Sequence, residues 1–130
     1  MGKILCAVVF LLYALPSTAG NVMPVMVGGE ADLDACSSIG VVSGLKQGGD
    51  GFLAVRAGAS ASYKLVDKLL EGQKVFICSS SSDNKWYGIV YAQGDEQDCG
   101  VSSPISPSQP YKGKCKSGWV SERWIKQIAG

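Results

Sequence analysis

The chain of 130 residues contains no histidine, which removes the commonest general base and the commonest metal ligand. It has no C-x-x-C pair either, so a zinc site lacks both of its usual ingredients. Carboxylates alone can hydrolyse glycosides, but two must face each other across a cleft, and no pattern here places them so. Thiol chemistry requires a free, activated cysteine. These gaps argue against a free-standing enzyme and against a metal or other cofactor.

Long apolar runs are missing as well. The run from Ile4 to Leu15 has twelve residues, against the roughly 20 that a membrane-spanning helix needs. Lys3 precedes it, and Pro16, Ser17, Thr18 and Ala19 follow. Residues 1–19 therefore read as a secretory signal peptide with a small-x-small cleavage site at Ser17 and Ala19. Cys6 lies inside the run instead of just after it, which disfavours a lipid anchor. Removing the segment takes the basic count from 12 to 11, against 11 acidic residues. A neutral chain lacks the positive excess that holds non-specific nucleic-acid binders on phosphate. The expectation is a periplasmic or secreted monomer with no nucleic-acid partner and no membrane span after signal removal.

Four cysteines remain in the exported chain: Cys36, Cys78, Cys99 and Cys115. Outside the cytosol an even set points to disulfides, and four cysteines allow three connectivities. Cys99 and Cys115 bracket most of a long, proline-rich stretch, AQGDEQDCGVSSPISPSQPYKGKCK, from Ala92 to Lys116. A bridge between them would leave Cys36 with Cys78. The two crossed pairings stay open.

Along the rest of the chain, short apolar runs alternate with turn residues: IGVVSGL, FLAVRAG, KVFIC and WYGIVY are cut by KQGGDG and SSSSDNK. That spacing, without a sustained 3.6-residue period, predicts an all-β barrel or sandwich. In KVFIC, Val75 and Ile77 fall on one face and Phe76 and Cys78 on the other. SYKLVDKLLEGQK has some helical periodicity but is short and ends at Gly72, so it reads as a loop running into a strand. Residues 20–35, with the apolar patch VMPVMV, read as a linker or flexible arm; an extra edge strand or a partner-binding segment is the alternative. Residues 92–116 read as a long loop with little that builds a core, and such loops are functional or tied down.

The ordered set V-R-A-G-A-S from Val55, L-L-E-G-Q-K-V from Leu69, the Trp86-Tyr87 strand and the closing G-W-V-S-E-R-W-I from Gly118 resembles the bacterial SH3 (Src-homology-3, SH3b-type) family. The likeness covers about residues 39–91 and 117–126. Two features depart from the family pattern: Ala59 stands where a proline is usual, and residues 92–116 replace a short distal hairpin. The resemblance implies a small SH3-like barrel of about five strands over residues 36–130, carrying a disulfide-stapled insertion at 92–116. Val55, Leu69, Val75, Ile77, Ile89, Val120 and Ile125 should face its core. Trp119 should pack on the outer face, Ser121 to Arg123 should turn, and Trp124 should emerge beside the groove. The compact part is about 65 residues, a size at which a core is marginal alone, so two disulfides have a structural reason.

The same resemblance makes Tyr63, Trp86 and Trp124 the candidate ligand-binding residues. Such an aromatic strip offers large, rigid, half-polar surfaces to a peptide or sugar; the alternative is that all three cap the ends of the barrel. Arg56, beside a glycine-rich turn, is expected to brace its loop. Lys112, Lys114 and Lys116 around Cys115 read as solvated charge, and Asp95 to Asp98 lack the spacing and glycine of a calcium loop. The implied function is a non-catalytic exported binding module recognising a cell-wall peptide or peptidoglycan fragment. The alternative is a protein-binding envelope factor, such as an inhibitor or immunity-type protein.

Overall fold

The computed structural model describes residues 2, 21–45, 51–94 and 98–130. The expected signal peptide, Gly2 apart, lies outside the described residues, as do residues 95–97 of the acidic run. The described chain is all-β. Its strands are β1 (Met26–Val27), β2 (Ser38–Val42), β3 (Leu53–Arg56), β4 (Leu65–Leu69), β5 (Lys74–Ser80), β6 (Trp86–Tyr91), β7 (Gln109–Pro110), β8 (Lys116–Ser121) and β9 (Ile125–Ala129), and a 3-10 turn at Glu122–Trp124 joins the last two. Seven strands form one sheet in the order β4-β3-β8-β6-β5-β2-β9, and β1 with β7 forms a second, small one.

About five strands were expected, and the described residues hold nine. The surplus comes from stretches read as irregular. Leu65–Leu69, expected to be a loop, is strand β4, paired with β3 from Leu53↔Leu69 to Arg56↔Leu65. Gly72, at φ 87°, then turns the chain into β5. Register shifts in β2–β9, β3–β4 and β5–β6 bend the large sheet, because each bulge kinks the strand that carries it.

The bent sheet wraps a first core of Val42, Leu45, Leu53, Val55, Leu69, Val75, Ile89, Tyr91 and Val120, with Ile77, Tyr87, Trp124 and Ile125 packed at its margin. The seven positions expected to face the core all pack here. Strand alternation sends the intervening residues the other way, and there a second core forms: Val27, Ala35, Cys36, Phe76, Val90, Cys99, Val101 and Cys115. This core corrects two expectations. Residues 21–35 are not a loose arm, since Val25 and Val27 are each only 2% exposed, a burial that stabilises by about 1.5–3 kcal/mol per side chain. The insertion is not a coreless loop, since Val101 is fully buried within it.

Backbone hydrogen bonds tie these two segments to each other. The Gly29 amide donates to Ile105 O (2.8 Å), the Ala35 amide to Ser103 O (2.9 Å) and the Cys36 amide to Val101 O (3.1 Å). The Tyr111 hydroxyl donates to Cys99 O (2.8 Å) and accepts from the Cys115 amide (3.1 Å), closing the insertion at its base. Sequence reasoning overlooked the match because each segment alone is too short to bury its apolar residues.

Two disulfides join Cys36 to Cys78 and Cys99 to Cys115, as the bracketing argument expected. They suit an oxidising, extracellular-type environment. Among the described residues no helix is long and apolar enough to cross a membrane.

The bridges close loops of separation 42 and 16, which in the chain-entropy model contribute about 4 and about 3 kcal/mol. Replacing Cys36 and Cys78 by serine should therefore bring the domain close to unfolding. Replacing Cys99 and Cys115 should leave β5, β6 and β8 protected from hydrogen exchange while residues 98–115 and the 25–27 segment lose protection. Uniform loss of protection in the second variant would show that the two cores are not separable.

Candidate functional site

Trp86 owes its position to the turn before it. The Ser81 hydroxyl donates to Asp83 Oδ1 (2.6 Å), the Lys85 amide donates to the same oxygen (3.1 Å), and the Trp86 amide donates to Ser81 Oγ (3.1 Å). Asn84, at φ 59°, takes the left-handed position of this turn, which asparagine tolerates better than most residues. The Ser81 bond, followed by the Lys85 amide, holds the Asp83 carboxyl below its ordinary pKa. Trp86 then opens β6 directly across from Ser121.

Ser121 leads into the 3-10 turn that carries Trp124. The Glu122 amide donates to Lys85 O and the Ser43 amide to Trp124 O, both at 2.9 Å, locking the turn to β6 on one side and to the exit of β2 on the other. Next to Trp124 the Gly44 and Leu45 amides donate to the two oxygens of Glu71 (2.9 and 3.1 Å), so a carboxylate from the β4–β5 turn fixes the neighbouring loop. The Arg123 guanidinium lies 5.1 Å from the centre of the Trp124 ring. Trp86 and Trp124 thus come to the same end of the β6–β8 pair, both partly buried.

Tyr63 is held separately. It sits in the β3–β4 connection with its ring against Gly58, where any side chain would collide with it. Arg56 braces this connection as expected, donating from Nη1 to Tyr63 O (3.1 Å). Of the remaining candidates, Lys112 and Lys114 are exposed, and Asp98 accepts the Gly100 amide (2.8 Å).

Trp119 does pack on the face opposite the first core, yet it is only 5% exposed because residues 23–25 cover it. Its indole N–H donates to Met23 O (2.9 Å). A buried indole needs an acceptor, and that requirement was the available signal for a covering segment.

One polar cluster went unnoticed in the sequence. The buried Tyr91 hydroxyl donates to Asp67 Oδ2 (2.8 Å), which also takes Lys116 Nζ at 3.4 Å. Partial burial raises the Asp67 pKa, but the Tyr91 hydroxyl, the Lys68 amide and the Lys116 ammonium outweigh it, leaving the carboxyl below its ordinary 3.8. Burial, and then the bond to Asp67 and its charge, push the Tyr91 phenol well above its ordinary 10.0. The cluster joins β4 to β6 and β8 across the open end of the first core. It is a strut by geometry: its residues come from positions 67, 91 and 116, which no local pattern connects.

Comparison of the chain with protein-family models, with curated proteins and with solved structures gives no match. The resemblance to bacterial SH3 domains therefore stands on the ordered motifs.

Tyr91→Phe should cost about 1–2 kcal/mol near neutral pH, discounted for the partial exposure of Asp67. Because the folded-state pKa of Asp67 is depressed, its contribution is complete above the unfolded value and is lost as pH falls through the folded one. Urea unfolding of wild type and variant at about pH 7 and about pH 2.5 should show the difference shrinking in acid. A constant difference would mean that the Asp67 charge contributes nothing.

Proposed function

We propose that the protein is a non-catalytic, exported SH3-like binding module whose ligand is a cell-wall peptide or peptidoglycan fragment, bound over Trp86 and Trp124 with Tyr63 at the far wall. The observation that carries this reading is the placement of Trp86 across from Ser121, where the closing G-W-V-S-E-R-W-I motif turns and sets Trp124 at the same end of the sheet. The bent sheet with a 3-10 turn before its last strand supports a small SH3-like barrel. Two half-buried aromatic rings on hydrogen-bonded turns form a preorganised surface, which lowers the ordering cost of binding. The absence of histidine from the chain supports binding without catalysis.

A second reading, a protein-binding envelope factor, is favoured by one feature. The stapled insertion presents Lys112 and Lys114 beside a cleft of about 210 Å³ lined by Asp98, Cys99, Gly100, Gly113 and Lys114, a rigid surface suited to an acidic protein partner.

Co-sedimentation of the mature chain with purified peptidoglycan sacculi tests the first reading, with muropeptide titration by tryptophan fluorescence beside it. Trp86→Ala and Trp124→Ala should each weaken binding at least about tenfold, the scale of a lost aromatic anchor, while a Lys112→Glu, Lys114→Glu double variant should bind normally. Absence of wall binding by the unaltered protein sinks the wall-ligand reading. A specific envelope protein captured by the unaltered chain and lost from the double lysine variant would put the second reading in its place.

A further inference from the structure

On the face of the sheet opposite the first core, Ser79 of β5, Gly88 of β6 and Trp119 of β8 stand side by side, Ser79 paired with Gly88 and Gly88 with Trp119. Glycine at the centre makes the row a trough. A Cβ there would lie 2.5 Å from Ser79 Oγ, 3.2 Å from Val25 Cγ1 and 3.3 Å from the Trp119 ring. Residues 23–27 run along this trough as an extended chain. Met23 donates from its amide to Ala57 O (2.8 Å) and accepts the Trp119 indole N–H, while Val25 O accepts the Tyr111 amide (2.9 Å). Val25 and Val27 point inward, whereas Met26 between them is 38% exposed, the alternation of a strand laid on a surface.

We propose that the trough is a strand-binding site, that residues 21–27 are its resident ligand, and that an extended apolar segment of a partner protein, with a hydroxyl-bearing residue at the Val25 register, displaces them. The site uses none of the residues assigned to the wall ligand and does not rest on that reading. Three observations mark the segment as a displaceable occupant. Its ladder with β7 is only two residues long, and its other backbone bonds go singly to Ala57, Trp119 and Tyr111. Directly behind it Gly28 and Gly29, at φ 80° and 112°, form a backbone joint that other residues adopt only with strain. Under it the Ser79 hydroxyl is buried with no hydrogen-bond partner among the described residues.

That last group sets the specificity. Ser79 Oγ and Val25 Cγ1 both border the same point above Gly88, and a valine methyl offers the hydroxyl no bond. Threonine has the outline of valine with an oxygen in place of one methyl, and at this register it supplies the missing bond. Apolar side chains buried in the trough give the arriving strand its affinity, and the hydroxyl at the Val25 register gives selection.

The test titrates a fluorescein-labelled peptide of residues 21–27 into the full mature chain, unaltered or carrying Val25→Asp, which disables the resident segment. The expected result is at least tenfold tighter binding to the Val25→Asp protein, because in the unaltered chain only the fraction with an open trough is competent. A peptide with Val25→Thr should bind at least threefold tighter than the parent, and one with Val25→Asp should not bind. A folded Val25→Asp protein that ignores the peptide overturns the proposal. Should that variant fail to fold, hydrogen exchange on the unaltered protein decides. The Met23 and Tyr111 amides should exchange at least a hundredfold faster than those of Ile89 and Val120, and equal rates would show that the segment leaves only on global unfolding.

Discussion

A hairpin buried on both faces has to be covered twice, and the β5–β6 hairpin is under that constraint. Val75, Ile77, Ile89 and Tyr91 point into the first core, while Phe76, Cys78, Val90 and Ala92 belong to the second. A bent sheet alone covers one side. The other side requires material from elsewhere in the chain, and the N-terminal segment and the 92–116 insertion supply it together. Neither suffices singly, which is why their backbone amides and carbonyls are bonded to each other. The Cys36–Cys78 bridge fastens this cover to β5 from one direction, and the Cys99–Cys115 bridge keeps the insertion folded over it from the other.

The two tryptophans of the closing motif illustrate what the cover does to a strand of alternating residues. Val120 faces the first core and Trp119 the opposite side, where on an uncovered sheet its ring would meet water. Here the N-terminal segment lies on it, and the indole proton has an acceptor. Trp124, beyond the 3-10 turn, is left at the rim with one side against the core and the other outward. The difference between the neighbours is set by strand parity and by which loops reach them, since their chemistry is the same.

Much of the first core was legible: Val75 and Ile77 share a face by the period of two, and the resemblance implied Val55, Leu69, Ile89, Val120 and Ile125 as inward positions, whereas Tyr91 was not singled out. The disulfide pairing was legible through loop bracketing, and the bracing role of Arg56 through the glycine-rich turn beside it. The second core was signalled only indirectly. KVFIC and GIVY are nearly continuous apolar runs, which mark strands buried on both sides, but nothing in the N-terminal patch VMPVMV says that its partners are Val101 and Tyr111. Strand β4 was obscured because Leu65 and Val66 are exposed and the helical spacing of Val66, Leu69 and Leu70 competed with it. The Asp67–Tyr91–Lys116 strut and the Glu71 clasp on Gly44 and Leu45 are contacts between distant positions, and they follow from the fold instead of predicting it.

Strand β2 lies between β5 and β9, so the first strand of the large sheet is flanked by the last. During synthesis, then, β2 has no second neighbour until Ile125–Ala129 has emerged, and the large sheet is completed only with that last strand. Sheets dominated by such distant pairings fold slowly compared with local hairpins. Until β9 arrives, β2 presents an open edge of amides and carbonyls, the kind that recruits strands from other molecules. A nascent or truncated chain ending before Ile125 thus carries an open edge prone to aggregation, and the five residues of β9 act as the stopper.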